Sequence, residues 1–251
     1  MTVVFVHGVP ETPRVWADLR AQLTVPSVAL SLPGFGNPLP SGFDPDKDGY
    51  AGWLADELQR LDGPIDLVGH DWGALLVLRI ATTAQVPLRS WVVDVASVYH
   101  PGYVWHPWAT SLWEAGAGEE VLAARRAAGP DDPAGSVAFQ TGLGVPREAA
   151  VEMAAAHDEV MSRAILGLYR SAAPNVSADW GAEATTPTPS PGLVVIATGD
   201  AVEDEPRARE MAQRLGARVA RFEGRTHWWM FDPSGTVART LEDFWRSVDG
   251  A

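Results

Sequence analysis

Cysteine is absent from the 251 residues of the chain. That excludes a disulfide framework, a thiolate nucleophile and any thiolate-ligated metal site. Basic residues are also few, with 19 lysines and arginines against 32 acids and a net charge of −13. A surface of that sign repels phosphate backbones and anionic lipid, so neither nucleic acid nor a membrane is expected as a partner. No apolar run is long enough to span a bilayer. Met1-Thr2-Val3-Val4 is not a basic segment leading an apolar signal core, and the expected location is the cytoplasm. Tryptophan, by contrast, is plentiful, at eleven residues. Large aromatics gather in cores and apolar pockets, so this number points to an apolar small-molecule site in a chain long enough for one sizeable domain and a lid.

One stretch organises the rest. Ile65-Asp66-Leu67-Val68-Gly69 reads as a short buried strand, and Trp72 to Ala81 as a helix with an apolar face. Between them lies Gly69-His70-Asp71-Trp72-Gly73, with glycines two before and two after Asp71. This is the pattern of a nucleophile elbow, with an aspartate in the place usually held by serine. A strained strand-to-helix turn leaves no room for side chains at the flanking positions. A carboxylate at its tip can attack carbon and form an ester. An ordinary helix-capping aspartate is the alternative reading of the five residues taken alone.

Around the elbow, strands alternate with helices. Strands are expected at Thr2–Val6, Ser27–Ser31, Arg89–Val95, Leu193–Ala197 and Arg218–Phe222. Helices are expected near Arg14–Leu23, Tyr50–Leu61, Glu205–Leu215 and Thr236–Trp245. That order predicts an α/β class with a parallel sheet of about six strands covered on both faces. From about Tyr99 to Pro189 no strand is evident, and Thr185-Thr186-Pro187-Thr188-Pro189-Ser190-Pro191 closes the segment as a stiff tether. The expected organisation is therefore a core at 1–98 and 190–251 and an inserted helical cap at 99–189.

An ester mechanism also needs a base, an acid to orient it, and oxyanion donors. His227 follows the last strand and Asp200 the strand before it, each where open α/β sheets place their sites. The chain order is nucleophile, acid, histidine. Asp204 and Glu203 are fallback acids. Asp94 is a weaker one, because it falls inside an expected strand whose alternation would point it away.

With His7-Gly8-Val9-Pro10 at the end of the first strand, these motifs resemble the α/β-hydrolase fold, in its group with an aspartate nucleophile. That group holds epoxide hydrolases and haloalkane dehalogenases. The resemblance covers about residues 2–98 and 190–248. It implies an oxyanion hole from the backbone amides of Val9 and Trp72, no cofactor and no metal. His-Gly-x-Pro and the cap sequence Leu168-Tyr169-Arg170 resemble the epoxide hydrolases, which implies Tyr169 as donor to the epoxide oxygen. Dehalogenases usually carry Asn at the Val9 position, and Val cannot donate through its side chain.

The chain departs from that family in two ways. The usual first two strands are missing, so the 27–31 strand should form an edge. A second cap tyrosine is also missing, and Trp113, Tyr99, Tyr103 or His106 are the residues that could replace it. Trp113, Trp105 and Trp228 are expected to face the substrate. The resemblance thus implies hydrolysis of an apolar epoxide by water through an Asp71 ester, in a monomer or homodimer. Haloalkane dehalogenation by the same ester, or a non-catalytic binding protein on this fold, are the alternatives.

Overall fold

The computed structural model describes residues 1–249. Six strands form one sheet: β1 (Thr2–Val6), β2 (Ser27–Leu30), β3 (Ile65–Gly69), β4 (Ser90–Val93), β5 (Gly192–Ala197) and β6 (Arg218–Phe222). Their order is β2-β1-β3-β4-β5-β6, and every pairing is parallel. The edge at residues 27–30 follows the expectation.

Strand alternation divides the core in two. Val4, Val6, Leu67, Trp91, Val93, Val194 and Ile196 pack on one face, and Val3, Phe5, Val68, Val92, Leu193 and Val195 on the other. Helices α2 (Lys47–Gln59), α3 (Trp72–Thr83) and α10 (Glu205–Leu215) cover the first face; α1 (Ala17–Gln22) and α11 (Thr236–Asp249) cover the second. The central strands of a parallel sheet covered on both sides are near-continuous apolar runs. β3 and β4 are buried at every position, and their two polar residues are paired: Asp66 accepts from Arg89 and from the Ser90 hydroxyl.

Six helices separate β4 from β5: α4 (Pro107–Ser111), α5 (Ala117–Ala127), α6 (Ser136–Gly142), α7 (Arg147–Ala155), α8 (Glu159–Ser171) and α9 (Trp180–Glu183). Residues 147–171 form two helices, α7 and α8, and not one. Asp158 caps α8 by accepting the Met161 N–H at 2.8 Å, a local bond that competes with helix continuation. No helix of the described residues is long and apolar enough to cross a membrane.

The strand expected at 89–95 is shorter, and this changes the place of Asp94. β4 ends at Val93, and Val95 adopts a left-handed backbone with φ of 40°. Strand alternation therefore does not apply to Asp94. It turns toward the elbow and accepts the Asp71 backbone N–H at 3.0 Å.

Candidate active site

The elbow is built from backbone constraints. Asp71 has φ 51° and ψ −122°, a conformation that L-residues rarely adopt, and its side chain does not cap α3. A methyl group on Gly69 would lie 2.4 Å from the Gly73 carbonyl oxygen, and one on Gly73 2.2 Å from the Val6 oxygen. A Cβ on Gly8 would lie 2.4 Å from that of Asp71. The three glycines let β1, the elbow and α3 close on one another, leaving the carboxylate as the group at the tip.

The two Asp71 oxygens meet different partners. Oδ1 accepts the Val9 backbone N–H at 2.9 Å. Oδ2 lies 3.9 Å from His227 Nε2. Trp72, whose amide is the other expected oxyanion donor, is the first residue of α3, where backbone N–H groups lack intrahelical acceptors. Burial pushes the Asp71 carboxyl up to about 6, against the opposing pull of the His227 and His70 charges. His227 Nδ1 and Asp200 Oδ2 are 2.7 Å apart. Burial works against the His227 charge, but Asp200 more than offsets this and holds the imidazole above its usual range. Asp200 is held below its own range despite burial, by the His227 charge and hydrogen bond and by the Val202 N–H. Asp204 instead caps α10 by accepting from Arg207 N, and Glu203 accepts from the Asp204 N–H.

Behind the elbow lies a buried ionic network that sequence reasoning missed. His70 Nδ1 is 2.5 Å from Asp94 Oδ2 and its Nε2 is 3.1 Å from Glu11 Oε1. A ring with a carboxylate at each nitrogen must donate from both, so it is an imidazolium. Burial opposes that charge, yet Asp94 and Glu11 raise His70 well above its ordinary value. Burial would raise Glu11, and His70 overcomes it, bringing that carboxyl down to about 2. Trp228 donates its indole N–H to Glu11 at 2.6 Å, and Trp229 donates to Asp94 at 2.6 Å. The Gly8 N–H also donates to Glu11, at 2.9 Å. The network ties the His-Gly loop, the elbow and the His227 loop into one rigid floor. The His70 ring lies 4.5 Å from that of His227.

A cavity of about 330 Å³ opens over this floor, with Val9, Asp71, Asp200, His227 and Trp228 on the sheet side. The helical segment contributes His106, Trp108, Arg125 and Tyr169 among others. Tyr169 is fully enclosed, with Trp72, Trp105 and Trp108 rings at 5.2, 5.6 and 5.3 Å. Burial and then the nearby Asp71 charge push its phenol well above the ordinary value, so it stays protonated.

The tryptophans differ from expectation. Trp228 lines the cavity. Trp105 and Trp113 do not, and Trp108 takes that place. Trp105 stacks on Trp72 behind the wall, where both rings gain more apolar contact than at an open surface. Of the candidates for a second donor, Tyr99 is committed to the Leu75 carbonyl at 2.8 Å, and Tyr103 lies edge-on to Trp105 outside the cavity lining. His106 does line it. Its Nδ1 accepts the Ala109 N–H at 3.2 Å, which leaves the proton on Nε2. Burial holds the ring below its usual range, so that proton sits on a neutral imidazole.

A family model described as the alpha/beta hydrolase family matches residues 3–240. The chain belongs to this family. Solved structures of hydrolases share the fold. A loop variant of the haloalkane dehalogenase DbeA from Bradyrhizobium elkanii superposes with a TM-score of 0.75 at 18% identity, covering 99% of this chain and 90% of that one. The epoxide hydrolase CorEH superposes at 0.78 and 16% identity, with 98% and 92% covered. A thioesterase domain from the curacin biosynthetic pathway superposes at 0.67 and 16%, with 96% and 90% covered. At these identities the likeness establishes the alpha/beta hydrolase fold and leaves the substrate to the chemistry of the site. No curated protein matches the chain by sequence.

Proposed function

We propose that this alpha/beta hydrolase opens epoxides to vicinal diols through a covalent ester on Asp71, with residues 99–189 acting as its cap. The observation that carries the reading is a carboxylate nucleophile and a buried, protonated phenol facing one apolar cavity, with a His–Asp pair beside the carboxylate. Asp71 Oδ2 attacks a ring carbon and the carbon–oxygen bond breaks. The ring oxygen leaves as an alkoxide and takes the Tyr169 proton, with the His106 Nε2–H as a second donor. A water then loses a proton to His227 Nε2, and its oxygen attacks the Asp71 carbonyl carbon. The oxyanion on Oδ1 is held by the Val9 and Trp72 amides. Collapse expels the diol oxygen, which takes the proton from His227. Asp71 is left as a carboxylic acid, and its proton replaces, through solvent, the one Tyr169 gave up, which restores both the carboxylate and the phenol. Asp200 keeps the His227 ring oriented throughout. No step requires a cofactor or metal.

One further observation favours dehalogenation as the second reading. The indole N–H groups of Trp105, Trp108 and Trp113 are buried without an acceptor among the described residues, and of these Trp108 lines the cavity. Unsatisfied buried donors call for an explanation, and a halide leaving Asp71 would accept from Trp108. A screen of styrene oxide-like epoxides and bromoalkanes, reading diol and bromide separately, tests both. Diol formation is expected; bromide release without diol would replace the first reading with the second.

A further inference from the structure

Arg125 lines the catalytic cavity, half-buried, and makes no ion pair or hydrogen bond with any described residue. Its guanidinium carbon stands 5.1 Å from the Trp108 ring and 5.8 Å from the Phe139 ring. Burial lowers its pKa somewhat, but a guanidinium remains charged. Such isolation is unexpected in a chain with 32 acids and 19 basic residues. The next arginine, Arg126, bonds the Ser162 hydroxyl at 2.5 Å, and Glu119 of the same helix pairs with Arg170. The positions three and four away from Arg125 are Val121, Leu122, Ala128 and Gly129, none acidic.

Two more unpartnered polar groups line the same cavity. The Ser136 hydroxyl and the Gln140 side-chain oxygen are both buried without a hydrogen-bond partner. Ser136 and Gln140 are 9% and 2% exposed and lie one turn apart on one face of α6. A hydroxyl can donate to an anion, and an amide can turn to present its NH₂ group. Phe139, between them in sequence, is 54% exposed and sits edge-on to Trp228, so this part of the lining reaches the surface.

We propose that Arg125, Ser136 and Gln140 form a carboxylate subsite, and that the substrate is an apolar epoxide bearing a terminal carboxylate. The apolar body lies against Trp108 and Trp228, the reacting ring faces Asp71 and Tyr169, and the carboxylate takes the guanidinium fork. The proposal rests on the reading of the site as an epoxide hydrolase for the reacting group, but not for the anion.

The test therefore has two arms. In the first, binding of the unreactive 4-ethylbenzoate and its neutral analogue 4-ethylbenzamide is measured by calorimetry. The carboxylate should bind at least about tenfold more tightly to the wild-type protein, as expected for a charge-assisted bond. That preference should fall to about one in Arg125→Met. Equal affinity of the two ligands for the wild-type protein would overturn the subsite whether or not any epoxide is turned over. In the second arm, kcat/KM is compared for 4-(oxiran-2-yl)benzoate and styrene oxide. A preference of about tenfold for the acid, expressed in KM and lost in Arg125→Met, is the expected result. If Arg125→Met instead lowers kcat on both substrates by one factor, the guanidinium acts on the Tyr169 phenol and the subsite is rejected. Tight carboxylate binding with neither diol nor bromide formed would keep the subsite and reject the proposed activity.

Discussion

His227 Nε2 stands 3.9 Å from Asp71 Oδ2. That separation is too long for a direct hydrogen bond. In the proposed reaction that leaves the histidine free for the second half, the activation of a water against the Asp71 ester.

It follows that removing the imidazole should stop the cycle after alkylation. His227→Ala should form an adduct with substrate and not release it. Intact and peptide mass spectrometry should place one added substrate mass on the peptide carrying Asp71. An adduct elsewhere, or turnover by Asp71→Ala, would show that another group is the nucleophile.

Asp200 and Asp94 are both buried acids paired with a histidine, but they should fail differently. Asp200→Asn removes the charge that orients His227 and should lower turnover by on the order of a thousandfold or more. Asp94→Ala strips a carboxylate from a buried imidazolium, which costs about 3–5 kcal/mol when the other charge is left uncompensated. Denaturant unfolding should register that loss in Asp94→Ala. A stable, inactive Asp94→Asn beside a near-normal Asp200→Asn would exchange the two roles.

These two acids also mark how far the sequence could be read. Asp71, His227 and Asp200 could be picked out because each sits at the carboxyl end of a strand, where topology alone brings loops together. The sheet could be read for a similar reason, since its strands are local apolar runs between turn residues. Strand alternation does not give the orientation of Asp94, because β4 ends at Val93, one residue before it. Glu11 and His70 are 59 positions apart and meet only when the elbow docks on the first loop. The one local signal was the concentration of histidines and acids beside two glycine turns. The helical segment was least readable. Its tryptophans carry no periodicity that separates cavity wall from packing, so Trp105 and Trp113 were expected where Trp108 lies.

Tyr169 separates the two readings of the reaction. An alkoxide is a far more basic leaving group than bromide, so opening an epoxide near neutral pH needs an acid beside it. Tyr169→Phe removes that acid and keeps the ring packed among Trp72, Trp105 and Trp108. Single-turnover epoxide alkylation should slow by at least ~100-fold, while any bromoalkane alkylation changes little. Equal slowing of both would mean that the ring, not its hydroxyl, is what matters.

The pH dependence should divide between the two half-reactions. Alkylation needs Asp71 ionised, and burial holds that carboxyl at about 6. The single-turnover alkylation rate should therefore be near its maximum above pH 7 and fall to roughly a tenth at pH 5, one unit below that value. Ester hydrolysis needs His227 neutral, and in the free enzyme Asp200 and Asp71 both favour its charged form. Alkylation turns Asp71 into a neutral ester. That removes one of the charges raising the histidine, while the His70 imidazolium that lowers it stays in place. His227 should thus release its proton more readily in the intermediate than in the free enzyme, in step with its turn as base. Asp71→Asn imitates the neutral ester, so the His227 pKa, followed by NMR, should be lower in that variant than in the wild type. An unchanged or higher value would mean that the two groups are not electrostatically linked across their 3.9 Å gap, and the two half-reactions would then share one pH profile.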